Sequence, residues 1–336
     1  MKLTLEQIRE ITTGAVWVKE DGEGVRFCRF TGEQLEAHAQ RNRRESMEIP
    51  LYMYYTGAGI RLCMRTNSTT LFLRAVCVGR NPAINNYFSF DVFANGVPVG
   101  YMDCLDNDGI EDIHEKTFAL GEGVKEVQIH LPHSVAMAVQ EVRLDDGAFV
   151  EPVRPEKKLL CYGDSITQGY SAYRPSRTYP ARVADALQAV CMNKGVGGDC
   201  VFAELVEAEE TSAPDYITVA YGTNDTNYTV EDYAPVYRKF ITTLSQKHPH
   251  ARIFVISPIW RTDWEKPLLI GTHNDMENVI REQCADLHNV TFLCGWDLVP
   301  HDPDYLQDRR LHPNDEGFDH YAANLIAAIR KELEMN

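Results

Sequence analysis

The chain has 336 residues, long for one core and comfortable for two domains, and its composition is that of an ordinary water-soluble globular protein. A formal net charge of −16, spread over both halves with no basic stripe, argues against nucleic-acid binding and against docking on an anionic membrane surface. No run approaches the 18 or more apolar residues of a membrane span, and Met1 to Val18, interrupted by Lys2, Glu6, Arg9 and Glu10, does not read as a signal peptide.

Residues up to about 150 read as all-β. Leu51–Tyr55, Gly59–Thr66, Thr70–Val78 and Tyr87–Ala94 are rich in β-branched or aromatic residues and separated by turn formers. Asn95-Gly96 between two apolar runs marks a hairpin, and Val124–Leu131 and Val135–Leu144 supply further strands. Regular spacing without helices predicts a sandwich or jelly roll over residues 1–152. Glu151-Pro152-Val153-Arg154-Pro155 reads as a linker, and residues 156–336 then alternate strands with helices. Strands are expected at Lys158–Tyr162, Val190–Lys194, Tyr216–Tyr221, Ile253–Ser257 and Val290–Leu293. Helices are expected near Tyr179–Ala189, Val230–Gln246, Asn274–Leu287 and Glu316–Leu333. Such alternation predicts a parallel sheet covered on both faces, with its working residues at the carboxyl ends of the strands.

Nine cysteines, an odd count with no CxxC pair and several inside apolar runs, read as free thiols and suit a reducing cytoplasm. No histidine cluster shows matched acidic spacing, so neither a metal nor a cofactor is expected. GxSxG, HExxH and GxxxxGK[ST] are absent.

The chemistry concentrates after the expected strands. Gly163-Asp164-Ser165-Ile166-Thr167 follows the first, Asn193-Lys194-Gly195-Val196-Gly197-Gly198 the second and Gly222-Thr223-Asn224-Asp225 the third; His312-Pro313-Asn314-Asp315 precedes the last helix. A serine hydroxyl needs a base to take its proton and donors to receive the developing oxyanion. Here Ser165 is the candidate nucleophile and His312 the candidate base. Gly198 has no side chain to block its N–H, and Asn224 offers an uncharged donor. Pro313 keeps His312 extended, and Asn314 or Asp315 can cap the helix. Asp164 and Asp225 read as carboxylates that fix turns.

Four blocks in this order resemble the GDSL/SGNH hydrolase superfamily over residues 157–336. The resemblance implies a flavodoxin-like five-stranded parallel sheet and ester hydrolysis without metal or cofactor. It also implies roles: Ser165 as nucleophile, His312 as base, and the N–H groups of Ser165 and Gly198 with the Asn224 amide as oxyanion hole. The family usually places an aspartate three residues before the histidine. That position is Arg309, and Asp308 stands one residue further away. Either a one-residue bulge brings Asp308 to the imidazole as the third catalytic member, or a backbone carbonyl orients the ring in a Ser-His dyad.

Trp260, just past the fourth strand, is a candidate for stacking on a sugar or else a packing residue. An all-β half ahead of such a hydrolase resembles carbohydrate acetylesterases. The expected substrate is therefore a short, acetyl ester of a carbohydrate or other small molecule. The alternatives are a lysophospholipase or thioesterase-type acyl hydrolase, and a catalytically weakened carbohydrate-binding protein. The sequence leaves the oligomeric state open.

Overall fold

A computed structural model describes residues 1–45, 49–82 and 86–335. The first half builds two antiparallel sheets. One has the spatial order Thr12–Thr13, Arg61–Thr66, Lys125–His130, Phe88–Ala94, Val97–Cys104, with Glu151–Pro152 also paired to Arg61–Thr66. The other runs Trp17–Asp21, Gly24–Cys28, Ala136–Leu144, Thr70–Gly79, Ile113–Ala119. Alternate residues of both, such as Leu62, Met64, Phe90 and Val92 from one and Leu71, Leu73 and Val139 from the other, bury in one shared core. The Asn95-Gly96 hairpin forms as expected: φ is 49° and 76° at its two central residues, the left-handed pair that a type I′ turn requires.

The all-β reading of this half needs correction. Leu51–Tyr55 is a 3₁₀ helix rather than a strand; its Tyr54 turns inward against Phe30 and His38, a use of aromatic residues that strand propensity does not distinguish. Helices also occupy Leu5–Ile11, opened by a Thr4–Gln7 capping box, and Gly32–Glu45. The second carries no apolar stripe because the side chains it buries include Gln34, His38 and Arg41.

The second half follows its pattern closely. Five parallel strands lie in the order Ala189–Asn193, Lys157–Gly163, Tyr216–Ala220, Arg252–Ile256, Val290–Leu293, which is 2-1-3-4-5 in chain order. Leu160 and Tyr162 face one apolar layer while Leu159 and Cys161 face the other, so helices cover both sides. Tyr179–Ala186, Val230–Lys247, His273–Cys284 and Asp315–Glu334 are those helices. The strand order reverses beside Lys157–Gly163, and that opens a crevice at the carboxyl ends. The cysteines are free thiols, most of them buried. No helix among the described residues is long and apolar enough to cross a membrane.

One apolar cluster joins the two halves. Cys28, Phe30, Ala37 and Tyr54 bury with Leu160, Val201, Phe202 and Tyr221. Polar anchors cross with them. Arg29, fully buried, donates to the carbonyls of Asn193 and Gly195, both at 2.8 Å. Arg41 pairs with Asp199, the two side chains 1% and 0% exposed, and donates to the Cys200 carbonyl at 3.1 Å. Burial pushes the Asp199 carboxyl up while the guanidinium beside it pulls the other way. Removing one partner of a buried pair strands the other, which typically costs about 3–5 kcal/mol. Arg41→Met is therefore expected to lower the unfolding free energy by about that amount, whereas Arg43→Met, which breaks an exposed pair with Glu36, changes it by less than ~1 kcal/mol; denaturant titration of both variants checks this.

Candidate active site

The strand Lys157–Gly163 delivers the Gly-Asp-Ser turn. Asp164 caps the one-turn helix Ser165–Gln168 by accepting the Ile166 N–H at 2.9 Å, which holds Ser165 at the helix start. Ser165 Oγ lies 2.9 Å from His312 Nε2. His312 Nδ1 lies 2.7 Å from Asp308 Oδ2, so the ring proton sits on Nδ1 and Nε2 is left as an acceptor for the serine hydroxyl. The edge-on ring of Tyr170, at a centroid distance of 4.9 Å, packs against the imidazole.

The bulge that would carry Asp308 to the ring is present. Arg309 adopts φ 55°, the left-handed region rarely used by residues other than glycine, asparagine and aspartate. That single turn folds residues 310–312 around the Asp308 carboxylate. Oδ1 accepts the N–H groups of Arg310, Leu311 and His312 at 2.9, 2.7 and 3.1 Å. Partial burial alone would push this carboxyl up; the His312 hydrogen bond and the backbone donors outweigh it and hold the group well below the usual carboxylate range. The hook closes at its base through Gln307 N–H to His312 O at 2.8 Å and Asn314 N–H to Tyr305 O at 3.0 Å. Asn314 then caps the final helix, accepting the Gly317 N–H at 2.9 Å.

The second and third blocks meet across the crevice. Asn193 Nδ2 donates to Thr167 O at 2.7 Å and its Oδ1 accepts the Gly195 N–H at 2.8 Å, which ties this loop to the serine turn. Gly195 sits so close that a Cβ there would fall 2.4 Å from Gln168 N. Gln168 accepts the Gly197 N–H at 2.7 Å and donates to His133 O of the β half at 2.8 Å. Gly198 has φ 79° and open space where a side chain would stand, and its N–H has no partner among the described residues. Asn224 Nδ2 donates to Asp199 O at 2.9 Å, which fixes the amide and leaves its second hydrogen free. Asp225 accepts the N–H groups of Val201 and Gly222, both at 3.0 Å, and so joins the two loops.

Trp260, the candidate for stacking on a sugar, lies just past the strand Arg252–Ile256. Its ring is half-buried and stacks on His301 at a centroid distance of 5.5 Å. The side chains that do line the space beside Asn224, a cavity of about 210 Å³, include Arg261, Lys266 and Arg310. Sequence reasoning missed these because they come from separate loops with no local motif; it also gave no role to Gln168 and Tyr170, which lie at and just past the end of the Ser165–Gln168 turn. A larger groove of about 630 Å³ between the halves lies at the amino ends of the parallel strands, around Arg61, Lys157 and Ala189, away from Ser165. No group of three or more histidine, cysteine or acidic side chains suited to a metal occurs among the described residues.

Residues 161–320 match the GDSL-like lipase/acylhydrolase family. A search of curated protein sequences gave no match. Among solved structures, the salicylyl-acyltransferase SsfX3 from a tetracycline biosynthetic pathway superposes with a TM-score of 0.76 at 23% identity, over 95% of this chain and 94% of that one. A putative GDSL-like lipase from Bacteroides ovatus gives 0.75 at 20% identity, over 99% and 98%. A family two carbohydrate esterase from Cellvibrio japonicus gives 0.59 at 20% identity, over 82% and 89%. At these identities the likeness concerns the fold, including the arrangement of a β half ahead of the α/β half.

Burial pushes the Asp164 carboxyl up to about 6. Its folded value lies above that of an unfolded aspartate, about 3.9, so the associated stability is complete below that pH and is lost as pH rises through about 6. Asp164→Asn retains a side-chain oxygen for the Ile166 N–H and removes the titration. The variant is expected to gain stability relative to the parent between pH 4 and 8, as read from denaturant midpoints at both ends of that range.

Proposed function

We propose that this chain, whose residues 161–320 form a GDSL-like lipase/acylhydrolase domain, is a serine ester hydrolase that removes a short acyl group from a carbohydrate or small ester through an acyl-enzyme. The observation that carries this reading is the continuous hydrogen-bonded chain from Ser165 Oγ through His312 to Asp308. His312 Nε2 takes the hydroxyl proton as Oγ attacks the ester carbonyl. The oxyanion forms against the N–H groups of Ser165 and Gly198 and the free amide hydrogen of Asn224. His312 returns its proton to the departing alcohol oxygen, leaving the acyl group on Ser165. Water then attacks with the same base, releases the acid and restores the serine. Asp308 keeps the imidazole in the Nδ1–H tautomer and stabilises the imidazolium in both halves of the cycle.

The weakened binding-protein alternative drew its support from the displaced aspartate, and with Asp308 at 2.7 Å from the ring that support is gone. The carbohydrate preference draws on the β half and on the carbohydrate esterase among the structural relatives. The acetyl preference is set against the lipase and thioesterase alternative by chain length: p-nitrophenyl acetate should be turned over faster than octanoate, and a rate rising toward octanoate would contradict it. Ser165→Ala should reduce turnover of p-nitrophenyl acetate and acetylated sugars to background. Turnover by the parent no better than by this variant would defeat the esterase reading.

The third member of the triad has its own test. Asp308→Asn is expected to lower kcat several hundredfold or more, and a loss under about tenfold would remove Asp308 from that role. Arg309→Gly, which favours the left-handed turn, should keep most of the activity. Arg309→Pro, which forces φ near −65°, should fall to the level of Asp308→Asn.

A further inference from the structure

We infer that the cavity beside Asn224 is an anion subsite that receives a carboxylate or phosphate on the alcohol part of the ester. This rests on the esterase reading above and names the substrate class. The cavity, about 210 Å³, is lined by Asn224, a proposed oxyanion donor, and by Leu311, the chain neighbour of the proposed base His312. The leaving oxygen must face His312 Nε2 to collect its proton. The group attached to that oxygen is therefore the part of the substrate brought against the Arg310-Leu311 wall.

The charges lining this space do not balance. Arg261 is buried and forks onto Asp263, with Nη2 at 2.9 Å from Oδ2. Arg310 Nη1 stands 3.7 Å from the same carboxylate. Lys266 forms no ion pair among the described residues, so one lining carboxylate faces three lining cations. In a chain of net charge −16 that local surplus is out of character, and a partly enclosed site strengthens its attraction for an anion. Arg261, whose fork is occupied, sets the wall; Arg310 and Lys266 are the groups left to meet an incoming charge.

His273 adds an independent signal. It lines the same cavity and is 1% exposed. Its Nδ1–H donates to Trp264 O at 2.7 Å, and the ring stacks on Trp264. Nε2 at the other end of the ring is buried with no partner among the described residues. An unpaired buried polar atom is costly unless a ligand or water satisfies it. With the proton on Nδ1, Nε2 is an acceptor, so it asks for a hydroxyl rather than for the anion itself. Cations plus a hydroxyl acceptor fit a polyhydroxylated acid, an acetylated sugar acid or sugar phosphate, better than a neutral sugar or a fatty chain.

The test compares mono-O-acetylated methyl glucoside, the matching methyl glucuronide and the matching 6-phosphate, with p-nitrophenyl acetate as the measure of esterase chemistry. At low salt the parent enzyme is expected to favour a charged sugar over the neutral one by about tenfold or more in kcat/KM, chiefly through KM, and high salt should shrink the ratio. Combined Lys266→Gln and Arg310→Gln should bring the ratio to within about twofold, with a denaturant midpoint confirming that the variant is folded. An advantage for the glucuronide alone assigns a carboxylate; an advantage for both charged sugars assigns a general anion site. Equal rates on neutral and charged sugars by the parent, or a preference that survives the double substitution, would overturn the subsite and leave the esterase reading standing. Failure on every sugar ester and on p-nitrophenyl acetate would overturn the esterase reading instead.

Discussion

The site depends on one carboxylate held in place by one unusual backbone turn. Asp308 lies too far along the chain from His312 for the family's usual spacing. Arg309 takes up the extra residue by entering the left-handed region, at a cost of roughly 1–2 kcal/mol for a residue with a Cβ. Four hydrogen bonds to the Asp308 carboxylate, three from backbone N–H groups and one from the imidazole, offset that cost, and bonds to an ionised acceptor are among the stronger kind. The consequence runs outward in order. The carboxylate fixes the imidazole tautomer, the tautomer frees Nε2, and Nε2 meets the Ser165 hydroxyl at 2.9 Å, the contact on which the proposed nucleophile rests. The same hook hands the chain to Asn314, which starts the last helix.

The opposite wall is held from the other half of the molecule. The loop that presents Gly198 hangs between two buried arginines of the first half: Arg29 grips its start at Asn193 and Gly195, and Arg41 grips its end at Asp199 and Cys200. Asp199 in turn positions Asn224 through its carbonyl. In the proposed mechanism oxyanion donors act through being fixed before charge develops, so rigidity supplied from outside the α/β layer would belong to the catalytic architecture. Residues 151–155, read from sequence as a linker, begin with a strand paired to Arg61–Thr66, and Cys28, Phe30, Ala37 and Tyr54 bury with side chains of the second half.

How far the sequence could carry this follows from how each element buries its residues. The five parallel strands read cleanly because both their faces are covered, which forces short apolar runs. The helix at Gly32–Glu45 did not read at all, since it docks through Arg41, Gln34 and His38 and leaves no apolar period. Ser165, Gly198, Asn224 and His312 stand out because each sits in a short block after a strand or before a helix. Asp308 was in reach only as an alternative: nothing about an arginine at 309 announces a left-handed backbone. Arg261, Lys266 and Arg310 converge only in space, so no window of sequence contains them.

For the proposed esterase, charge bears on why those arginines and that lysine stand beside Asn224. Asp164, Asp199 and Asp225 are all buried around the crevice, where they serve as acceptors for turn N–H groups and for Arg41. Three full negative charges there would oppose the anion that forms on the substrate. Two effects reduce that opposition. Burial pushes Asp225 up to about 7, so that it is only partly ionised near neutrality while Asp164, pushed up to about 6, stays mostly ionised, and Arg41 sits directly against Asp199. What negative field remains, chiefly from Asp308, falls on the imidazolium, where it is stabilising. Among the side chains that line the cavity beside Asn224, the cations Arg261, Lys266 and Arg310 outnumber the one carboxylate, Asp263.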